Sequence, residues 1–246
     1  MKQQLTLTGI VLSAGVVGEY DKRVVILTKE RGKITAFARG ARKPGNALMG
    51  ITSPFTYGKF TCYKGYDAYY VTSAEIVDYF EDLKHDLDAV CYATYFCELA
   101  DYFTLEGTTD KTMLNLLYVS FKALMRKQME YSLIRCAFEV KLLEIEGLGM
   151  QVFHCVKCQK EDSHYLFDAV SGGVLCEACK TNALNPVIMD ESTLYTLQHI
   201  RSCDLTTLFN FQVTKMVLRQ LEKICKSYLR VHVDKELKSL EMLDIL

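Results

Sequence analysis

The sequence predicts a multidomain α+β protein, with a five-stranded N-terminal barrel followed by a C-terminal helical bundle that a small ribbon interrupts. Three observations predict it. Residues 1–80 are short runs rich in β-branched and aromatic residues, punctuated by Gly18, Gly32, Gly45, Gly50 and Gly65. From about residue 81 the apolar residues recur at helical spacing instead. Between residues 150 and 182 that pattern breaks, and two Cys-x-x-Cys pairs occupy the gap. The expected boundaries are 1–80 for the barrel, 81–149 and 183–246 for the two helical parts, and 150–182 for the ribbon.

The strands are expected at Leu5–Leu12, Arg23–Thr28, Lys33–Ala38, Phe55–Tyr63 and Tyr69–Ala74. The first follows Lys2 and superficially resembles a secretory leader. Thr6 and Thr8 alternate with Leu5 and Leu7, however, which favours a strand. Lys29–Gly32 is expected to turn the second strand into the third, with glycine supplying positive φ. Five strands in so short a length suit a closed barrel, for which the OB-fold is the commonest solution.

Leu87–Phe103 and Lys111–Met129 lack Gly and Pro and repeat apolar residues at helical spacing. Ser132–Ile145 aligns Leu133, Ile134, Ala137, Phe138, Lys141, Leu142 and Ile145, then stops at Gly147. The Lys141 stem is expected to lie along that stripe with its charge in water. Helical pattern returns at Asp190–Arg201 and Phe211–Arg230. Asp82, Asp86 and Asp88 precede a helix, where carboxylates favour the N-terminal dipole. No run of about 18 apolar residues is present, so no membrane-spanning helix is expected.

Within the ribbon, His164–Asp168 and Val174–Leu175 are expected as short strands turned by Ser171–Gly173. Cys155 and Cys158 are separated from Cys176 and Cys179 by the 17 residues 159–175. Paired thiolates at this spacing point two knuckles at one centre and complete a tetrahedron. All four positions are then protein ligands, so a structural Zn²⁺ is expected, with no open position for substrate. Iron suits the same four thiolates. His154 and His164 are read as surface residues, and Lys157, Lys160 and Lys180 as offsets to thiolate charge. The other six cysteines (Cys62, Cys91, Cys97, Cys136, Cys203, Cys225) have no disulfide spacing. Most lie in apolar stretches, and with the knuckles they favour a reducing cytoplasm.

The net charge of −1 conceals an asymmetry. Residues 1–80 carry 11 Lys/Arg against 6 Asp/Glu. Lys22, Arg23, Lys29, Arg31, Lys33, Arg39, Arg42 and Lys43 face only Asp21 and Glu30 in the same stretch. A basic β module interleaved with Phe37, Tyr57, Phe60, Tyr63, Tyr66, Tyr69 and Tyr70 suits a nucleic-acid ligand. These eight cations are the candidate DNA contacts, although a solvated basic face and a strand core account for the same residues. No P-loop, dinucleotide fingerprint, nucleophile elbow or metalloprotease motif occurs, so no catalytic residue is assigned and no enzyme activity is expected.

Several stretches together resemble the RecO family of recombinational repair mediators over essentially the whole chain. They are Gly18–Gly32 (GEYDKRVVILTKERG), Ala36–Lys43 (AFARGARK), Phe138–Leu143 with Gly147, the knuckle ribbon, and Lys238–Leu243 (KSLEML). One departure is local: family knuckles often read C-x-x-C-G, whereas Gln159 and Lys180 follow the pairs here. The resemblance implies an OB-fold that binds single- and double-stranded DNA and anneals complementary strands in the cytoplasm, associated with the nucleoid. It implies partnership with RecR and with the acidic C-terminal tail of single-stranded DNA-binding protein (SSB), and loading of RecA onto SSB-coated DNA. The tail would enter an apolar pocket of the helical part, with Lys122, Arg126, Lys127 and Arg135 as candidates for its carboxylate. Two other readings stay open: a protein-interaction adaptor with a structural zinc and incidental DNA binding, and a thiol oxidoreductase using the cysteine pairs.

Overall fold

A computed structural model describes residues 4–66, 68–161, 166–183 and 185–243. The expected leading barrel is present. Strands β1 (Gln4–Val17), β2 (Asp21–Thr28), β3 (Gly32–Ala38), β4 (Tyr57–Lys64) and β5 (Tyr69–Asp78) close in the order β1-β2-β3-β5-β4. Antiparallel neighbours alternate with one parallel seam, β3 to β5, where Ala36 faces Tyr69 and Phe37 faces Tyr70. This is the OB-fold arrangement.

β1 outruns its expected end because it serves two partners. Gln4–Ile10 pairs with β4 and Gly9–Val17 with β2, with an irregularity between Val11 and Ser13. A strand that turns a barrel corner needs such a bulge. Gly9 permits the close crossing, since a Cβ there would lie 2.4 Å from the Leu27 carbonyl oxygen. β2 reads as an unbroken Val-Val-Ile-Leu run because both its faces are covered. Val24 and Ile26 point into the barrel. Val25 and Leu27 are also buried, and β1 and β2 pack against helix α3 (Leu87–Phe103). Ala41 and the short helix α1 (Leu48–Ile51) join the interior cluster.

The chain divides into two compact units, residues 1–121 with 237–246, and residues 122–236. The first adds to the barrel the short helix α2 (Glu81–Lys84), α3, the start of α4 (Lys111–Arg126) and the terminal helix α8 (Lys238–Leu243). Asp86 caps α3 by accepting from the Ala89 N–H at 3.0 Å, the role expected of an acid at that position. α8 returns to α3, where the Ser239 N–H donates to the Glu98 carboxylate at 3.0 Å.

The second unit contains α5 (Tyr131–Ile145), the cysteine ribbon, α6 (Glu191–Ser202) and α7 (Lys215–His232). α5 is buried on more sides than its stripe suggests, and Lys141 differs from expectation. Its side chain is 10% exposed, and its ammonium donates to the Glu144 carboxylate and the Arg201 carbonyl, both at 2.9 Å. α6 packs on α5 at this level, so the charge is met by fixed partners rather than water. The ribbon is a three-stranded sheet, β7 (Gly173–Leu175), β6 (Leu166–Asp168) and β8 (Val187–Ile188). Residues 164 and 165 of the expected first strand, and His164 with them, lie outside the described residues.

The β2–β3 turn forms where expected, with Gly32 at φ +61°. It is clasped by the loop after α3: the Lys33 N–H donates to the Leu105 carbonyl at 3.2 Å and the Gly107 N–H to that of Arg31 at 3.0 Å. A Cβ on Gly32 would lie 2.3 Å from the Leu105 oxygen. Gly32→Ala is therefore expected to destabilise the first unit by at least about 2 kcal/mol, measured as a lowered urea midpoint with an unchanged slope.

A candidate nucleic-acid interface and a four-cysteine metal centre

The eight candidate cations do not form one patch, because β2 and β3 run between them. Lys29, Arg31 and Lys33 sit at the turn end, about 20 Å by strand length from the opposite end. There Lys33 is engaged by Asp101, its ammonium 3.1 Å from the carboxylate. Lys22, Arg23, Arg39, Arg42 and Lys43 gather at the other end, where the β1–β2 turn, the segment after β3 and the β4–β5 loop meet. Lys64, at the end of β4, joins them with its ammonium 5.6 Å from the centre of the Tyr69 ring. Grouping cations by closeness in sequence misses Lys64, which only the β4–β5 pairing brings to this end.

These side chains are held rather than splayed. Arg42 donates to the Glu19 carbonyl at 2.9 Å and Lys22 to the Met49 carbonyl at 3.2 Å. Lys43 lies 5.2 Å from the Tyr20 ring centre. Gly40 N–H donates to Asp21 at 2.7 Å, which ties the loop after β3 to β2. Burial, and secondly the nearby Arg42 charge, lower the Lys22 pKa. Like charges brought this close favour a polyanion that neutralises both.

Register places an aromatic row beside them. Arg23 faces Phe37, Phe37 faces Tyr70 and Tyr70 faces Tyr63 on successive strands. Cross-strand partners share a face, and this one points outward. Tyr63 and Tyr70 stack at 4.9 Å and 11°, Phe37 lies 5.9 Å from Tyr70, and the Arg39 guanidinium sits 4.9 Å over the Tyr70 ring. The other aromatics divide as core or surface. Phe60 and Tyr69 are interior, Tyr57 packs on Tyr118, and Tyr66 is 98% exposed.

In the second unit the four knuckle cysteines converge, their sulfurs all within 4.8 Å of one another and those of Cys158 and Cys176 3.6 Å apart. Tetrahedral thiolates about 2.3 Å from one ion stand roughly 3.8 Å apart, so the cluster could hold a metal. The knuckles are set by backbone: Gln159 N–H donates to the Cys155 carbonyl at 2.9 Å and Cys179 N–H to that of Cys176 at 3.0 Å. Around them the apolar cluster is small, made of Cys155, Leu175 and Cys176 with partly buried Val156, Leu166, Cys179 and Ala183. Anchoring comes from the other side of β6. Buried Phe167 meets the Tyr228 ring at 5.6 Å, and Gln198 donates to the Val152 carbonyl at 2.8 Å. His154 pairs with Glu161, and Lys180 with Glu177 rather than with the thiolates. Elsewhere, burial pushes the Cys62 thiol up to about 12 and raises Cys97, as expected of cysteines packed as small hydrophobes.

Comparison with known proteins finds two family models along the chain. Residues 1–80 match the family model "Recombination protein O N terminal" and residues 84–241 match "Recombination protein O C terminal". The chain belongs to the RecO family of DNA repair proteins. It is 32% identical to the DNA repair protein RecO of Alkaliphilus metalliredigens over 228 residues, 92% of this chain and 93% of that one. It is 30% identical to the protein of that name from Acetivibrio thermocellus over 244 residues, 98% and 97% of the two chains. The corresponding Symbiobacterium thermophilum protein is 30% identical over 242 residues, 97% and 96% of the two chains.

In this member of the family the departure at Gln159 has a conformational reading, since its φ of +62° is one that glycine adopts without strain. The thiols ionise stepwise. Burial resists ionisation of Cys155, but the N–H groups of Cys176, Cys158 and Lys157 and the Cys158 thiol bond its sulfur and pull it down to about 6. Hydrogen bonding to Cys176 first, then burial and the remaining sulfurs, pushes Cys179 up to about 12. The two values belong to the cluster as a whole. A cation bound by all four sulfurs must therefore displace the protons that the cluster still holds at neutral pH. Adding Zn²⁺ to metal-free protein at pH 7 is expected to release at least one proton per ion, read with an indicator dye in weak buffer. Cys179→Ser should bind Zn²⁺ more weakly, because one of the four thiolates is lost.

Proposed function

We propose that this chain is a non-enzymatic DNA-binding and strand-annealing mediator of recombinational repair. It acts with RecR and the acidic tail of SSB to load RecA onto SSB-coated single strands. The observation that carries the reading is the convergence of Lys22, Arg23, Arg39, Arg42 and Lys43 beside outward aromatic rings at one end of the barrel. Their cations neutralise phosphates and release counterions, which favours either strand form regardless of sequence. Lys29, Arg31 and Lys33, at the far end of the hairpin, are the weaker members of the eight-residue set, and Lys33 is already matched by Asp101.

Residues 1–80 then serve as the DNA-binding module, 81–149 and 183–246 as the helical part, and 150–182 as the ribbon, whose sheet β8 of the second helical stretch completes. Zn²⁺ is the ion we assign to Cys155, Cys158, Cys176 and Cys179. Four thiolates fill its tetrahedron, and the ion holds the knuckle loops without taking part in DNA contact. For the SSB tail, Lys122, Arg126, Lys127 and Arg135 are the candidates, with Arg135 14% exposed between Glu139 and Glu222. The setting is the cytoplasm, on the nucleoid.

The test is binding and annealing by the wild type and by an Arg39→Ala/Arg42→Ala/Lys43→Ala variant without nucleotide. The variant is expected to bind all sequences more weakly and to the same degree. Its salt slope on single strands should shrink by about 0.7 for each phosphate it no longer neutralises. Unchanged affinity and slope would transfer the function to an adaptor role in which DNA binding is incidental.

A further inference from the structure

We propose that the outward row Phe37–Tyr70–Tyr63 is a stacking track for the unpaired bases of a single strand, with the Arg39 guanidinium as an exchangeable cover over Tyr70. The proposal rests on the barrel being a DNA-binding module, and adds to it a means of telling a single strand from a duplex.

The barrel core does not need these rings. On β3 the interior is filled by Ile34, Ala36 and Ala38, on β5 by Tyr69 and Val71, and on β4 by Phe60 and Cys62. The alternating outward positions need only be compatible with water, yet three adjacent strands present aromatic rings there in direct register. The rings are half-buried by one another, with centres 5.9 and 4.9 Å apart. The loop joining β4 to β5 adds Tyr66 at 98% exposure, an apolar ring in water with no packing role.

Charge decides what such a surface suits. Arg23 stands opposite Phe37 at one side of the row and Arg39 covers the middle. A polyanion that also offers flat apolar faces matches both features, and a strand with unpaired bases is such a ligand. Base–aromatic stacking and a guanidinium over a ring are of similar strength. A base can therefore take the Arg39 position over Tyr70, while the guanidinium turns to the adjoining phosphate and keeps its charge matched. In a duplex the base faces are already covered, and the row contributes nothing.

The experiment compares wild-type protein on oligo-dT and on an abasic strand of equal length, which keeps every phosphate and lacks the bases. Oligo-dT is expected to bind roughly ten- to a hundredfold more tightly, with the same salt slope on both strands. Tyr63→Leu/Tyr70→Leu should remove that preference while leaving duplex and abasic binding unchanged, and Tyr63→Phe/Tyr70→Phe should keep it. Equal affinity of wild type for the two strands would overturn the track and leave the phosphate-binding barrel standing. Failure to bind either strand would overturn the DNA reading itself, and the track with it. Polyglutamate competing as effectively as oligo-dT would also overturn it, because a peptide anion supplies charge without flat bases.

Discussion

The parallel contact between β3 and β5 is the constraint on which the barrel's use depends. It is short, with Ala36 facing Tyr69 and Phe37 facing Tyr70. It closes the sheet at Ala36 and Phe37, so that stretch of β3 offers no free edge to another chain. The same contact fixes the register that sets Tyr70 between Phe37 and Tyr63 and brings Arg39 over it. A slip of one residue would exchange inward and outward side chains, placing Phe37 in a core already filled by Ala36 and Ala38. Barrel closure and the presentation of an aromatic, cationic surface are thus one event.

The second unit is held together differently. Its helices are joined by ordinary burial, and two cations taken inside stand next to opposite charge. Lys141 meets Glu144 and the Arg201 carbonyl, while Arg135 meets Glu139 and Glu222. Such pairs are costly to break on one side only. The ribbon is firm where Phe167 enters the helices and thin around the sulfurs, where the apolar cluster has little besides the cysteines themselves. A cation at the four sulfurs would supply what that corner lacks, more strongly than side chains of that size can.

How much was legible in the sequence depended on whether a feature was local. Helix α3 was readable at both ends because Asp86 caps it and its interior lacks Gly and Pro. The knuckles were readable because two intervening residues fix where paired sulfurs point. β1 was read too short, since its second half becomes a strand only by bending to a second partner. Helices α1, α2 and α8 carry too few residues for a periodic signal, and α8 is fixed by a distant Glu98. Charge clustering along the chain singled out the barrel but merged two ends of one hairpin. Lys33 and Arg39 are six positions apart, yet one pairs with Asp101 and the other lies over Tyr70. Lys64 was not singled out because nothing near it in sequence is basic enough to draw notice.

The central claim is that one end of the barrel, and not the hairpin turn or the second unit, is where DNA lies. Amide hydrogen exchange of the intact wild-type protein, with and without a saturating single-stranded oligonucleotide at low salt, tests it most directly. Slowed exchange strongest at residues 18–23, 37–43 and the β4–β5 hairpin around Tyr63, Tyr66 and Tyr70 is the predicted result. Slowed exchange strongest at residues 29–33, or found only within residues 122–236, would contradict it.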